Sequence, residues 1–309
     1  MVLWIVSGTF AIAVLIISWR LTGLVVRPKM SDPEECFIAA SERGEFDKNA
    51  YETQWNREDF FLTSPFGYKL SCTFIPRKKD MEPRDKRERA VVIVHGYTYC
   101  SVGSIKYAEM FRELGLNCII YDHRAHGYSD KAIVTMGYYE ALDLKAVCDW
   151  ARNKLGQDTV IGTHGESMGA ATVMMNIPLD GKLAFAIEDC GYSSLSGQLA
   201  YRLKTEYHLP RYPFMPISSL ISRLRGGVFF SKVSPVKEVA KRDDIPVLFI
   251  HGEADNYVPF YMVNEVFNAK KGPKYKRTFP GAAHAGSYMS DKEGYQAAVA
   301  EFLKAHDII

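Results

Sequence analysis

The chain has 309 residues, 47% of them hydrophobic and 24% charged, with a formal net charge of +2. That length holds one large domain or at most two, and the balance is that of a globular chain rather than a disordered one. A nearly neutral chain offers no field for a polyanion, so nucleic acid is not an expected partner.

The N-terminus departs from this average. Residues 2–19, VLWIVSGTFAIAVLIISW, carry no charge. At about 1.5 Å per residue the stretch spans roughly 27 Å, close to the hydrocarbon thickness of a bilayer. It lacks the basic n-region, shorter apolar core and small-residue cleavage site of a signal peptide. A buried core helix, the other reading, normally keeps a polar stripe. Residues 1–26 are therefore expected to form a transmembrane anchor. Arg20, Arg27 and Lys29 all follow the span, which by the positive-inside rule favours a cytoplasmic catalytic domain. Six cysteines with no CxxC pair and no metal or disulfide spacing fit a reducing compartment.

Residues 27–54 are polar and mixed, and read as a linker with one short helix over 32–43. The remaining residues, 55–309, form the expected catalytic domain. It opens with REDFFLTSPFGYKLSCTFIP (57–76), two strand-like runs around a turn, a β-hairpin. The run 77–89, with seven basic and four acidic residues, reads as a solvated loop, contact with anionic lipid headgroups being the alternative.

From residue 90 strands and helices alternate. AVVIVHG (90–96), NCIIYD (117–122), TVIGTHG (159–165), LAFAIEDC (183–190), IPVLFIHG (245–252) and KYKRTFP (274–280) read as strands. Helical periodicity covers 104–115, 137–156, 167–176 and 292–306. This is an α/β chain with a mostly parallel, doubly wound sheet and helices on both faces. Residues 190–233 interrupt the alternation and are far longer than a connection needs. With clustered prolines, aromatics, and six basic residues against the single acid Glu206, they are expected to form a helical lid over the site.

In such a sheet ligands bind beyond the carboxyl ends of the strands, and each candidate catalytic residue follows a strand. Gly165-Glu166-Ser167-Met168-Gly169 places a serine in a tight strand-to-helix turn, strained unless its neighbours lack bulk. A serine alone is a poor nucleophile and needs a base and an orienting acid. Of eight histidines, only His284 lies in the loop directly after the last strand, the small-residue stretch PGAAHAGSY. The acid is expected between the two in chain order, and Asp255, just past its strand, is favoured over Glu253, Glu188 and Asp189. Asp189 is expected to cap the helix that follows it or to brace the lid. The backbone N–H groups of Met168 and Tyr97 are the expected oxyanion donors, with Gly96 letting the chain turn. His95 reads as structural. Asp122, His123 and His126 lack further ligands at useful spacing, so DHRAHGYSD reads as a hydrogen-bonded loop and not a metal site. No phosphate-cradling or dinucleotide motif is present.

Taken in order, His-Gly-Tyr at 95–97, Asp-His-Arg-Ala-His-Gly at 122–127, Gly-Glu-Ser-Met-Gly at 165–169, His-Gly-Glu-Ala-Asp at 251–255 and His284 resemble the α/β-hydrolase superfamily over about residues 55–306. Within it the chain is most similar to membrane-associated bacterial hydrolases near the serine aminopeptidase S33-type and BEM46-like proteins, through HLPRYPFMPISSLISRLRGG in the lid. One departure is Ala125, where the family's pattern carries glycine. The resemblance implies Ser167 as nucleophile, His284 as base and Asp255 as its partner, with no cofactor. The expected activity is a serine hydrolase cleaving a carboxylic ester of a small or lipid-like acyl substrate. An S33-type aminopeptidase is the nearest alternative, and a non-catalytic protein of the same fold the second.

Overall fold

The structure, a computed structural model, describes residues 2–81 and 85–309. Residues 82–84, inside the charged run, lie outside the described residues.

Eight strands form one sheet: β1 (Glu58–Thr63), β2 (Lys69–Ile75), β3 (Arg89–Val94), β4 (Asn117–Tyr121), β5 (Val160–Glu166), β6 (Phe185–Asp189), β7 (Val247–Gly252) and β8 (Lys274–Phe279). Their order is β1-β2-β4-β3-β5-β6-β7-β8. The hairpin β1–β2 and the pair β2–β4 are antiparallel, and every pairing from β4 to β8 is parallel. Strands β3, β4, β6 and β7 are buried along their whole length, which is why they read as apolar runs rather than alternating ones. The edge strands β1 and β8 carry exposed residues.

Twelve α-helices complete the described residues. They are α1 (Val2–Val26), α2 (Pro33–Glu42), α3 (Lys48–Thr53), α4 (Ile105–Glu113), α5 (Tyr138–Leu155) and α6 (Met168–Asn176). After them come α7 (Leu195–Tyr207), α8 (Arg211–Gly226), α9 (Pro235–Glu238), α10 (Tyr261–Ala269), α11 (Ser287–Ser290) and α12 (Lys292–Ala305). Alternate residues of β3 serve the two faces of the sheet. Val91 and Ile93 pack with α4 and α12, while Ala90, Val92 and Val94 pack with α5, α6 and α10. The interruption at 190–233 contains α7 and α8.

Two segments differ from the sequence expectation. The stretch 27–54 holds two helices rather than one, capped by Asp32, which accepts from Glu34 N at 2.9 Å, and by Asp47, which accepts from Ala50 N at 3.0 Å. Its Ala40, Phe46 and Tyr51 join the core cluster of α4 and α12, with Phe46 and Tyr51 rings 5.7 Å apart. A polar surface with a few inward aromatics hides such packing from composition. The second difference concerns α1. By length and apolarity, Ser7–Val26 is sufficient to cross a membrane. One stripe of it, Val14, Ser18, Thr22 and Val26, is nevertheless buried within the protein, and α1 packs along α8.

Phe46→Ala tests the first point. A buried aromatic truncated in a core costs about 3 kcal/mol, whereas a true linker would tolerate the change within about 0.5 kcal/mol. The urea midpoint of unfolding distinguishes the two, and the larger loss is expected.

Candidate active site

Strand β5 runs straight into α6, and Ser167 occupies the junction at φ 58°, ψ −114°, a conformation an L residue adopts only under constraint. The constraint comes from both sides. Ser167 N donates to Asp189 O at 2.8 Å, tying the turn to the end of β6. A Cβ at Gly165 would lie 2.3 Å from Gly169 O, and one at Gly169 would lie 2.1 Å from Val94 O. Only glycine permits α6 to start this close to β3 and β5. Met168, the first residue of α6, has an N–H with no intrahelical acceptor. The loop after β3 passes alongside, since a Cβ at Gly96 would stand 3.5 Å from Ser167 Cβ. Tyr97 follows it, and Tyr97 and Met168 line the same cavity as Ser167.

The other two predicted residues arrive from β7 and β8. Their loops are joined by Glu253 N donating to Phe279 O and Ala254 N to Ala282 O, both at 3.0 Å. His284 Nδ1 donates to Asp255 Oδ2 at 2.7 Å, and its Nε2 accepts from Ser167 Oγ at 2.9 Å. The bond to the carboxylate fixes this tautomer and leaves Nε2 as the acceptor. Thus residues 167, 255 and 284 form one continuous hydrogen-bonded line. One face of the imidazole is covered by the Tyr257 ring, stacked at 4.8 Å, on which the Arg202 guanidinium lies at 3.8 Å.

Asp255 is buried, yet it is held ionised. Its Oδ1 accepts from Tyr257 N at 2.8 Å and Val258 N at 2.9 Å, and its Oδ2 faces both His284 and, at 3.3 Å, His251 Nε2. Burial alone would raise this carboxyl, but the hydrogen bonds from His251 and His284 outweigh it and hold the group well below the usual carboxylate range. The sequence gives His251 no role beyond opening the His-Gly-Glu-Ala-Asp stretch, four residues before the acid. The thiol of Cys190 and the ligand atoms of Asp255 and His284 lie within 4.8 Å of one another. Burial pushes that thiol well up, which keeps it protonated.

His95 Nδ1 donates to Gly96 O at 2.7 Å and its Nε2 accepts from His123 N at 2.9 Å, so it braces the Gly96-Tyr97 turn. Burial lowers its pKa well below the ordinary value and keeps it neutral. In the 122–130 loop, Asp122 accepts from Ser101 N and Tyr128 N, and His126 Nε2 accepts from Thr98 N at 3.2 Å. Ala125 sits at φ 64°, the left-handed region that favours glycine. Asp189 requires a correction. The helix α7 is capped by Ser194, whose hydroxyl accepts from Gly197 N at 3.2 Å. Asp189 instead turns its carboxylate inward, where Tyr107 Oη approaches at 3.4 Å. Beside it the buried Lys106 pairs with Glu166 at 2.9 Å, a charged cluster next to the Ser167 turn.

Comparison with known proteins agrees with this architecture. The family model described as alpha/beta hydrolase fold matches residues 89–175, which include the turn at Ser167. The chain is 34% identical over 299 residues to the uncharacterized protein YqkD of Bacillus subtilis, covering 96% of this chain and 95% of that one. It is 21% identical over 257 residues to the uncharacterized protein YfhR of Escherichia coli, with 81% of each chain covered. The esterase Pf2001 of Pyrococcus furiosus superposes with a TM-score of 0.64 at 22% identity, covering 84% of this chain and 97% of that one. Est1E of Butyrivibrio proteoclasticus, solved with ferulic acid bound, gives 0.64 at 22% identity, covering 81% and 100%. At that identity the two solved structures establish the shared fold. With its parallel sheet, its serine at the β5–α6 turn and a full-length relative at this level of identity, the chain belongs to the α/β-hydrolase superfamily.

Proposed function

We propose that the protein is a serine hydrolase that cleaves a carboxylic ester through an acyl-enzyme. The observation that carries this reading is the line from Ser167 Oγ through His284 to Asp255, with contacts of 2.9 and 2.7 Å. His284 Nε2 takes the hydroxyl proton as Ser167 Oγ attacks the carbonyl carbon, and the ionised Asp255 stabilises the imidazolium that results. The N–H groups of Met168 and Tyr97 stabilise the oxyanion. His284 then protonates the leaving alcohol, and the same base activates the water that releases the acid. The esterase names of the structural neighbours lend support in kind, though not in substrate.

A cavity of about 170 Å³ opens on Ser167 and is lined mainly by apolar side chains, among them Leu21, Met136, Leu203, Met215 and Phe230. An apolar void of about this size holds a single benzene-sized group, which favours a short-chain or ring-sized acyl group. The aminopeptidase alternative needs a free carboxylate to hold a substrate amine. Glu206 lines the cavity but is paired with Arg202 four residues earlier. Glu188 and Asp189 are fully buried and line no part of it. These placements favour the ester. We further propose that α1 anchors the protein in a membrane, with the basic residues that follow it on the cytoplasmic side. The catalytic domain then begins at residue 27 rather than 55, since the intervening helices share its core.

Ser167→Ala and His284→Ala are each expected to lower kcat by roughly 10⁴-fold on p-nitrophenyl esters while the fold persists. Labelling by a fluorophosphonate should vanish in Ser167→Ala; a protein that keeps the fold only as a scaffold would show neither turnover nor label. A second prediction concerns Glu188, whose carboxyl burial pushes up to about 8. A folded-state value above the unfolded one means that the native state binds the extra proton between about pH 4.5 and 8, so stability from this group falls as pH rises through that window. The slope is at most about 1.4 kcal/mol per pH unit. Glu188→Gln should flatten it, gaining stability over the parent at pH 8 and little at pH 5 in thermal unfolding. An identical pH slope in the two proteins would remove the assignment.

A further inference from the structure

The end of α1 is built into the candidate active site. An α-helix leaves its last four carbonyls without intrahelical partners, and here each of those four is engaged. Gly23 O accepts from Arg27 N at 2.9 Å, and Val26 O from Val134 N at 3.1 Å. Leu24 O and Val25 O both face the hydroxyl of Tyr97, at 2.5 and 3.1 Å. Tyr97 follows Gly96 in the loop that passes Ser167, and it lines the same cavity. The next residue adds a tie, Ser31 N donating to Thr98 O at 2.9 Å. The lid grips the same helix from its other side. Thr22 Oγ1 approaches Ser218 O at 3.3 Å, and Arg225 donates to Trp19 O at 3.2 Å with its guanidinium 4.6 Å over the Trp19 ring.

Between these two attachments, Leu21, Thr22, Leu24 and Val25 form part of the wall of the cavity that holds Ser167. The polar lining comes chiefly from α7, where Gln198, Arg202 and Glu206 recur at intervals of four on one face. Arg202 pairs with Glu206, and Gln198 donates to Tyr257 O at 2.7 Å, its buried Oε1 alone having no partner among the described residues. The cavity therefore presents no unpaired charge from α7, and its α1 wall is aliphatic apart from the Thr22 hydroxyl, which is itself bonded to Ser18 O at 2.7 Å. A neutral, apolar substrate group suits that surface.

We propose that the last two turns of α1 are a working part of the active site. Leu21 and Val25 limit the size of the apolar acyl group, and Tyr97, by gripping the final carbonyls of the helix, holds the oxyanion loop in place beside Ser167. The proposal rests on the serine-esterase reading and adds its substrate class, neutral esters with an acyl group near ring size. Leu21 is the size-determining position, and the Tyr97 hydroxyl is a positioning group that touches no substrate.

The test uses the full chain in detergent micelles and a series of p-nitrophenyl esters from acetate to laurate, with active sites counted by fluorophosphonate. Leu21→Ala should move the preferred chain length upward by about two carbons, and Leu21→Trp should move it downward, lowering kcat/KM for the longer esters at least tenfold while acetate changes little. Opposite shifts at one position do not arise from general loss of folding. Tyr97→Phe should lower kcat per active site roughly tenfold at every chain length with KM little changed, since a displaced oxyanion donor acts on the transition state alone. An unchanged chain-length profile in both Leu21 variants, with Ser167-dependent turnover intact, overturns the proposal and leaves the esterase reading standing. A wild-type chain with no turnover and no label on Ser167 overturns both.

Discussion

The molecule depends on one close approach of backbone to backbone. For Ser167 to present its hydroxyl at the rim of the sheet, α6 must begin within van der Waals contact of the carbonyl end of β3, and the absence of a side chain at Gly169 is what allows it. Holding a serine at positive φ costs about 1–3 kcal/mol, and the surrounding elements must over-determine the turn. They do so through the bond from Ser167 N to Asp189 O and through β5 lying between β3 and β6. The same approach brings three things to one point: the hydroxyl, the free N–H at the start of α6, and the loop after β3.

The second constraint is electrostatic. A buried carboxylate persists only with full hydrogen bonding, and Asp255 has four polar partners, two backbone amides and two imidazoles. The two histidines are not equivalent. His251 Nε2 also faces Val258 O at 3.0 Å and is locked behind the acid, whereas His284 keeps its second nitrogen toward the serine. Nearby, Glu188 is driven toward its neutral form by burial. The carboxylate charge facing the two imidazoles is therefore that of Asp255, which fixes the orientation of His284.

Much of this was legible in the sequence because it is local. Buried parallel strands read as apolar runs, and the turn at Ser167 and the loops of Asp255 and His284 each announce themselves by small residues just after a strand. Chain order then pairs them. What was illegible is whatever depends on the third dimension alone. Phe46 and Tyr51 sit among polar neighbours, and nothing in their spacing reveals that they meet α4 and α12. Asp189 is followed by a serine-rich helix start that invites a capping role, yet Ser194 takes that role and the aspartate faces Tyr107. His251 lies within a strand whose other residues are apolar, so its part in holding Asp255 emerges only when the β7 loop folds back.

The N-terminal helix carries the same lesson furthest. Hydropathy treats its residues as interchangeable, and by that measure it is a membrane span and nothing more. Its buried stripe is distinguished instead by size and by small polar groups, Ser18 and Thr22, set against α8, while Phe10, Leu15, Ile16 and Trp19 remain exposed. Close packing and a hydroxyl contact hold this pair together. A simple tether has no need of them. It needs length, apolarity and a flexible exit, whereas α1 ends with its last carbonyls bonded to Arg27, to Val134 and to the residue beside the nucleophile. A helix end bonded to Val134 and to Tyr97 cannot move without moving the loops that carry them.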